Sequence, residues 1–218
     1  MRKLILLIAA PILLSATQAK AQNFKEMLEK NFLAFDTTQN QQQKLEFSNK
    51  LALISKKWPD EWTGHYYNAY SKVNLSYFEP DEAKKDAYLD EAEREYVEMM
   101  GLLKKENDET HVLAAMIANA RVAVKPQQRW QKYGKIFDEN LSKAKELNPD
   151  NPRIYYLIGV NKYHTPKMFG GGKKAALPYL EKAETLFAKE EGGDITEPHW
   201  GKRANQYFLN LAKGGEED

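Results

Sequence analysis

Apolar residues recur at intervals of three and four positions along almost the whole chain after residue 21. The run Leu89, Ala92, Tyr96, Met99 and Leu103 illustrates the pattern, because this spacing places all five side chains on one side of an α-helix. No segment shows the sustained two-residue alternation, bounded by turn-forming residues, that is typical of a half-buried strand. The pattern therefore predicts an all-α protein.

Prolines and glycines divide these apolar stripes into successive helices. The predicted breaks fall at Pro59, Pro80, Pro126, residues 148–152 and residues 170–172. We expect the helix after the glycines to begin near Lys174, so that Pro178 lies in its first turn, and the last helix to begin at Pro198 with Trp200 on its buried face. Short turns between amphipathic helices favour antiparallel neighbours, so the sequence predicts helix pairs stacked as a short α-solenoid.

The first 21 residues have the features of a secretory signal peptide. A basic start at residues 2–3 precedes an apolar run over residues 4–14, and small residues follow up to Ala21. That run is shorter than the ~20 residues needed to cross a bilayer, which argues against a membrane anchor. We expect cleavage after Ala21 and a mature protein that is periplasmic or secreted.

Beyond the leader we expect an N-terminal helical pair over residues 22–60, helical repeats over 61–212 and a flexible tail over 213–218.

The composition excludes several kinds of site and partner. The chain has no cysteine, which excludes disulfides, thiolate metal sites and a lipid-bearing cysteine at the cleavage point. Removing residues 1–21 takes three of the 32 basic residues and none of the 31 acidic ones. The nearly equal numbers of basic and acidic residues give no electrostatic argument for a nucleic-acid partner. No other apolar stretch predicts a membrane span.

The sequence offers no recognised catalytic or metal-binding arrangement. The four histidines are too scattered to form a helix-borne metal pair, and the glycine run at 170–172 lacks both the phosphate-loop pattern and a preceding strand. No nucleophile-elbow motif is present. The carboxylates between residues 86 and 98 are spread around a helix that also bears Lys84, Lys85 and Arg94, as on a solvated helix face. We therefore predict a protein that is not an enzyme and has no cofactor or metal.

The run over residues 144–149 resembles the end of a tetratricopeptide repeat, where a small residue packs between helices and a proline closes the unit. The residues that follow match that family's W-x2-L-G positions and its small-large-small pattern on the second helix. These matching residues are Tyr155, Ile158, Gly159, Ala176, Leu180 and Ala183. The resemblance extends over residues 61–212 and implies a tetratricopeptide-like stack of antiparallel helix pairs.

A narrower resemblance rests on Thr165-Pro166, the Phe-Gly-Gly-Gly run at 169–172 and the Pro-His-Trp-Gly run at 198–201. This combination is similar to a group of exported tetratricopeptide-like proteins of Bacteroidetes-type bacteria. The loop is also similar to one in the periplasmic T component of some tripartite substrate-binding transporters, although the chain lacks that component's lipid-anchoring cysteine. We expect a structural role for Thr165, Pro166, Phe169, Gly170, Gly171, Gly172 and Trp200.

Two functions remain open at this point. The first is a non-catalytic scaffold or adaptor of the cell envelope, whose groove binds a protein or peptide on the first helix of each pair. The residues expected to line that groove are Arg153, Tyr155, Asn161, His164 and Lys167. The alternative is a solute-binding accessory protein in which the loop at 165–172, His199 and Trp200 close a pocket for a small molecule. Burial of both Phe169 and Trp200 without a cavity would exclude that pocket.

Overall fold

A computed structural model describes the backbone of residues 6–190 and 193–214, and side chains from residue 21 onward within those ranges. The helices of the described ranges are α1 (Leu6–Thr37), α2 (Gln41–Lys57), α3 (Trp62–Phe78), α4 (Glu82–Leu102), α5 (Asp108–Val124), α6 (Pro126–Leu147), α7 (Pro152–His164), α8 (Lys173–Phe187) and α9 (Lys202–Lys213). A short 3-10 helix spans Lys167–Phe169, and no strand occurs among these residues. The predicted all-α fold is confirmed. Residues 1–5, most of the predicted leader's side chains and residues 215–218 of the predicted tail lie outside the described part.

Consecutive helices pack as neighbouring pairs. Helix α1 packs against α2, α3 against α4, α5 against α6 and α7 against α8, while α9 packs onto α8. The odd-numbered helices also touch one another, because α3 contacts both α1 and α5, and α7 contacts both α5 and α9. The odd-numbered helices therefore form one layer and the even-numbered helices a second. We call the surface of the odd-numbered layer the inner face.

Local sequence signals fix several helix ends. The side chains of Asn40, Asp81 and Asn107 cap α2, α4 and α5, each accepting a hydrogen bond from the backbone N–H three residues later. Pro126 and Pro152 occupy the first positions of α6 and α7, where a missing N–H has no intrahelical partner to lose. The predicted breaks at these two prolines are confirmed.

The start of α8 is close to the predicted one, but the position of its proline is not. The helix begins at Lys173, directly after Gly172, whose φ of 98° turns the chain into the helix. Pro178 is consequently the sixth residue and lies in the second turn, where it removes the backbone hydrogen bond to the carbonyl of Lys174. The expectation that Pro178 lies in the first turn is wrong.

The last helix begins four residues later than predicted. Helix α9 starts at Lys202 and not at Pro198, because Gly201 adopts the left-handed conformation with φ 99° and redirects the chain there. Trp200 therefore precedes the helix, although its ring is buried, with 4% of its surface exposed. The residues from 193 to 201 form an ordered connection, which we call the return segment.

One cluster of buried side chains extends from α1 to the return segment. It includes Phe24, Leu28, Phe32 and Phe35 of α1, the predicted stripe residues Leu89, Ala92 and Met99 of α4, and Ile195 and Trp200 of the return segment. Helices α1 and α2 thus share a hydrophobic core with the helices after residue 61. At Gly159, α7 approaches α8 so closely that a Cβ would lie 2.6 Å from Cδ2 of Leu180, so only glycine fits there without rearrangement.

A candidate ligand groove on the inner face

Two of the five predicted groove residues lie in the core. Arg153 is 2% exposed, its Nη1 lies 3.2 Å from Oε1 of Glu109, and it donates a hydrogen bond of 2.8 Å to Glu190. A cation at that depth needs such partners, because an unpaired buried charge is strongly destabilising. The Tyr155 hydroxyl is likewise occupied, donating to the carbonyl of Pro149 at 2.8 Å. Neither Arg153 nor Tyr155 is open to a ligand, which corrects their assignment to the groove.

The other three predicted groove residues do not form one cluster. Asn161 faces α5, where its amide donates to Oδ1 of Asn119 at 2.9 Å. His164 instead faces α9, with its ring edge-on to Phe208 and 5.6 Å between the ring centroids. Lys167 lies beyond the end of α7, exposed on the 3-10 helix. Of these three, only Asn161 lies within the groove described below.

The loop at 165–172, His199 and Trp200, which the solute-binding alternative expects to close a pocket, are not brought together by the rings of Phe169 and Trp200. Phe169 is 69% exposed on the loop, whereas the indole of Trp200 lies in the core and donates to the hydroxyl of Tyr66 at 2.8 Å. Because one ring is directed to solvent and the other to the protein interior, the two do not enclose a common cavity. A ligand site has to be sought elsewhere on the inner face.

The return segment packs against that face. The carboxylate of Asp194 pairs with the ammonium group of Lys25 on α1, and the backbone N–H of His199 donates to the hydroxyl of Tyr67 on α3 at 3.2 Å. The segment that precedes α9 therefore meets helices near the start of the chain. Beyond it, Tyr77 at the end of α3 stays part-exposed.

Trp200 lies in the core behind this part of the inner face. Its ring lies 4.8 Å from that of Tyr70 and 6.1 Å from that of Tyr156, measured between centroids. Beneath it, the Tyr66 hydroxyl donates to the carboxylate of Glu109 at 2.7 Å, and burial raises the pKa of that carboxyl group. A buried polar network thus holds the indole in place, while Tyr70 and Tyr156 separate it from the groove.

Tyr77 is a part-exposed tyrosine of this region. It keeps 42% of its surface exposed, yet burial of its hydroxyl raises its pKa to about 12, an effect that the neighbouring Asn119 amide reduces. The ring is therefore partly open to solvent, while the hydroxyl is enclosed by the protein. Burial raises the pKa of the Tyr156 hydroxyl, and the nearby Tyr77 and Asp36 raise it further. We define the tyrosine groove by Asp36, Tyr70, Tyr77, Asn119, Tyr156, Asn161 and Arg203.

Charged groups surround one end of the tyrosine groove. Burial raises the pKa of the Asp36 carboxyl group, and the positive charges of Arg203, Lys44 and His199 oppose that rise in decreasing order. Lys44 also donates from Nζ to the carbonyl of Phe35 at 3.0 Å. One carboxyl group therefore lies near an arginine, a lysine and a histidine.

Other parts of the described structure are weaker candidates for a ligand site. A depression of about 320 Å³ lies at the other end of the fold, lined by Lys105, Glu106, His111, Lys143, Glu146 and Leu147. Its histidine is already paired with Asn140 and Glu106. Among the described residues, no three or more His, Asp or Glu side chains are grouped so as to hold a metal ion. None of the described helices combines the length and apolar character that crossing a bilayer requires.

Sequence reasoning missed Tyr77 and Arg203. Tyr77 continues the apolar stripe of α3, so its spacing predicted a buried side chain. Arg203 carries no local signal at all, because its position opposite Asp36 depends on the return segment. The one available hint was the polar Asn161 among apolar neighbours on α7.

Comparisons with protein-family models and with curated protein sequences found no match. The fold and the groove define the class as an all-α protein of paired helices with an aromatic groove on its inner face. Among solved structures, the chain is similar to the HusA haemophore from Porphyromonas gingivalis, with 30% sequence identity, a TM-score of 0.74 and coverage of 89% of this chain and 95% of that one. The chain belongs to the family of HusA. The tetratricopeptide interpretation stays a prediction.

Proposed function

We propose that this protein is exported and binds haem in the tyrosine groove. The observation that carries the proposal is the part-exposed Tyr77 near Tyr156 and Asp36, with Arg203 close to that carboxylate, in a chain of the same family as a haemophore. Such a role agrees with the solute-binding alternative and not with the scaffold hypothesis. Arg153 and Tyr155, two of the residues on which the scaffold hypothesis rested, are buried.

The groove offers a partner for each chemical part of haem. The aromatic side chains of Tyr77 and Tyr156 suit the flat apolar macrocycle, and Arg203 and Lys44 suit its two carboxylates. Tyrosine is one of the residues that hold haem iron in proteins, and Tyr77 is the part-exposed tyrosine of this groove. Since its pKa is about 12, ligation of ferric iron has to displace the phenolic proton, so affinity should rise with pH below that value.

Titration of ferric haem into residues 22–218, followed by visible absorption, tests the proposal. Tyr77→Phe should weaken binding by at least about tenfold, the effect typical of losing even an outer-shell partner of a metal ligand, and should change the spectrum of the bound haem. Tyr88→Phe on α4, in the opposite layer, is the matched control and should change neither. An unchanged spectrum and affinity for Tyr77→Phe would remove that residue as the ligand, and no binding by the parent would refute haem binding altogether.

The carboxylate contact has its own test. Arg203→Ala should weaken haem binding by about tenfold to a hundredfold, because a hydrogen bond to a charged group contributes about 1.5–3 kcal/mol. Arg94→Ala, an exposed arginine of α4, serves as the control. The same two variants are then titrated with haem dimethyl ester, which has no carboxylate. Equal losses for the acid and the ester would contradict the assignment of Arg203.

Export is part of the proposal and rests on the N-terminal sequence. Intact mass measurement of the protein recovered from the medium and from the periplasmic fraction of its host should give a chain that begins at Gln22. A chain that retains residues 1–21 would contradict export with cleavage.

A further inference from the structure

The loop between α7 and α8 displays two apolar side chains on a fixed backbone. Met168 is 82% exposed and Phe169 is 69% exposed, the largest exposures among the apolar side chains of the described residues. The loop is nevertheless held firmly, because the N–H of Gly172 donates to the carbonyl of Lys162 at 2.8 Å across its base. The two side chains are thus presented to solvent by an ordered structure.

Glycines keep this loop in its shape. Gly170 has φ 78° and Gly172 has φ 98°, values that side chains other than glycine rarely adopt. Gly171 lies against Thr165 so closely that a Cβ would be 2.1 Å from the threonine carbonyl oxygen. The backbone therefore has no freedom to turn Met168 and Phe169 inward, where their burial would be favourable.

The surroundings of this apolar tip are basic. Residues 151–180 contain no aspartate or glutamate, although the whole chain has almost equal numbers of acids and bases. Lysines flank the tip on both sides, at positions 162, 167, 173 and 174. An adjoining aromatic residue, Tyr207 of α9, is 61% exposed and packs edge-on against Phe208, which in turn contacts Tyr163 and His164. Apolar, aromatic and positively charged groups therefore share one edge of the molecule.

We propose that this edge docks onto an anionic phospholipid bilayer, with Met168 and Phe169 inserted among the headgroups and the flanking lysines against the phosphates. An exposed apolar tip gains from reaching an apolar phase, and lysines beside it gain from a negatively charged layer. A bilayer surface offers both, because its negatively charged phosphates lie outside its apolar acyl chains. An acidic protein surface would satisfy the lysines alone and leave the apolar tip in water. The proposal does not depend on haem binding.

Flotation of residues 22–218 with vesicles tests the proposal without haem. The parent should bind vesicles in which roughly a third of the lipid is phosphatidylglycerol. It should bind vesicles of pure phosphatidylcholine much more weakly. Met168→Ser/Phe169→Ser should abolish most of this binding without unfolding the protein, since neither side chain is buried. The matched control is Val97→Ser/Trp130→Ser, which removes two exposed apolar residues from the even-numbered layer and should bind like the parent.

Charge is tested separately. Lys173→Glu should weaken binding to the anionic vesicles by more than about fivefold, because each lysine near such a surface contributes about 1 kcal/mol. Lys104→Glu, in the turn after α4, is the control and should have little effect. Absence of vesicle binding by the parent would overturn the proposal. Loss of binding in Lys173→Glu but not in Met168→Ser/Phe169→Ser would also overturn it, because the lysines would then form a general anion site.

The same loop variants separate this proposal from haem binding. Their haem titration in solution should match that of the parent, because Met168 and Phe169 lie outside the tyrosine groove. Conversely, Tyr77→Phe should retain vesicle binding. A vesicle result that followed Tyr77 instead of Phe169 would contradict the docking assignment.

Discussion

Replacing Trp200 with alanine tests how the inner face is built. The indole is 4% exposed, contacts the rings of Tyr70 and Tyr156, and donates a hydrogen bond to Tyr66. Truncation of a buried Trp or Phe to Ala costs about 3–5 kcal/mol of unfolding free energy, since the surroundings fill the cavity only in part. The lost hydrogen bond is worth about 1 kcal/mol of that cost. We expect a loss of about 4 kcal/mol for Trp200→Ala.

Urea denaturation of residues 22–218, followed by far-ultraviolet circular dichroism, measures this change. Trp130→Ala is the matched control, because this tryptophan on α6 is 59% exposed. Substitutions at such surface positions usually change the unfolding free energy by less than about 0.5 kcal/mol. The two variants remove the same side chain from the same protein, so their difference isolates the effect of burial.

A loss below about 1.5 kcal/mol for Trp200→Ala, or a loss equal to that of Trp130→Ala, would refute the reasoning. It would mean that the indole is not packed between α3 and α7. The return segment would then not be attached to α3 as described, and the boundary of the tyrosine groove would have to be redrawn.

Two further predictions concern the loop and an ion-pair network. Gly171→Ala should lower the melting temperature, because the new Cβ would meet the carbonyl of Thr165. Gly134→Ala should instead raise the unfolding free energy by about 0.5–1 kcal/mol, because a Cβ in the middle of α6 would meet no neighbouring atom within 4 Å. A hydrogen bond from Arg129 is the main cause that lowers the pKa of Asp86 from 3.8 to about 2. Because the folded pKa is depressed, this stabilisation is present above pH ~4 and disappears as the pH falls towards 2. Asp86→Asn should therefore destabilise the protein at neutral pH and much less near pH 2, as comparison of urea midpoints at the two pH values would show.

The fold followed from local signals in the sequence. Apolar spacing identified the helices, and Pro126 and Pro152 marked two helix starts because a proline is tolerated at the first helical position. The start of α9 was wrong since a left-handed Gly201, not Pro198, determines it. The spacing of apolar residues does not show whether a glycine adopts a positive φ.

The candidate site followed much less from the sequence. Arg153 was expected in the groove, but its partners Glu109 and Glu190 lie on α5 and after α8, and only the folded chain brings them together. The tyrosine groove depends on Asp36 and Arg203, which belong to the first and the last helix. Periodicity describes one helix at a time, so it contains no information about such pairings.

The return segment also sets the order in which the molecule can fold. Asp194 meets Lys25 across 169 residues of sequence, and His199 meets Tyr67 across 132. A stack of helix pairs with only neighbouring contacts can fold unit by unit, whereas contacts this distant in sequence slow folding and require both partners to be present. On the predicted export route, a chain crossing the membrane from its N-terminus keeps Tyr67 uncovered until residue 199 has followed. If the chain is exported as proposed, its native state is completed only after translocation of the return segment.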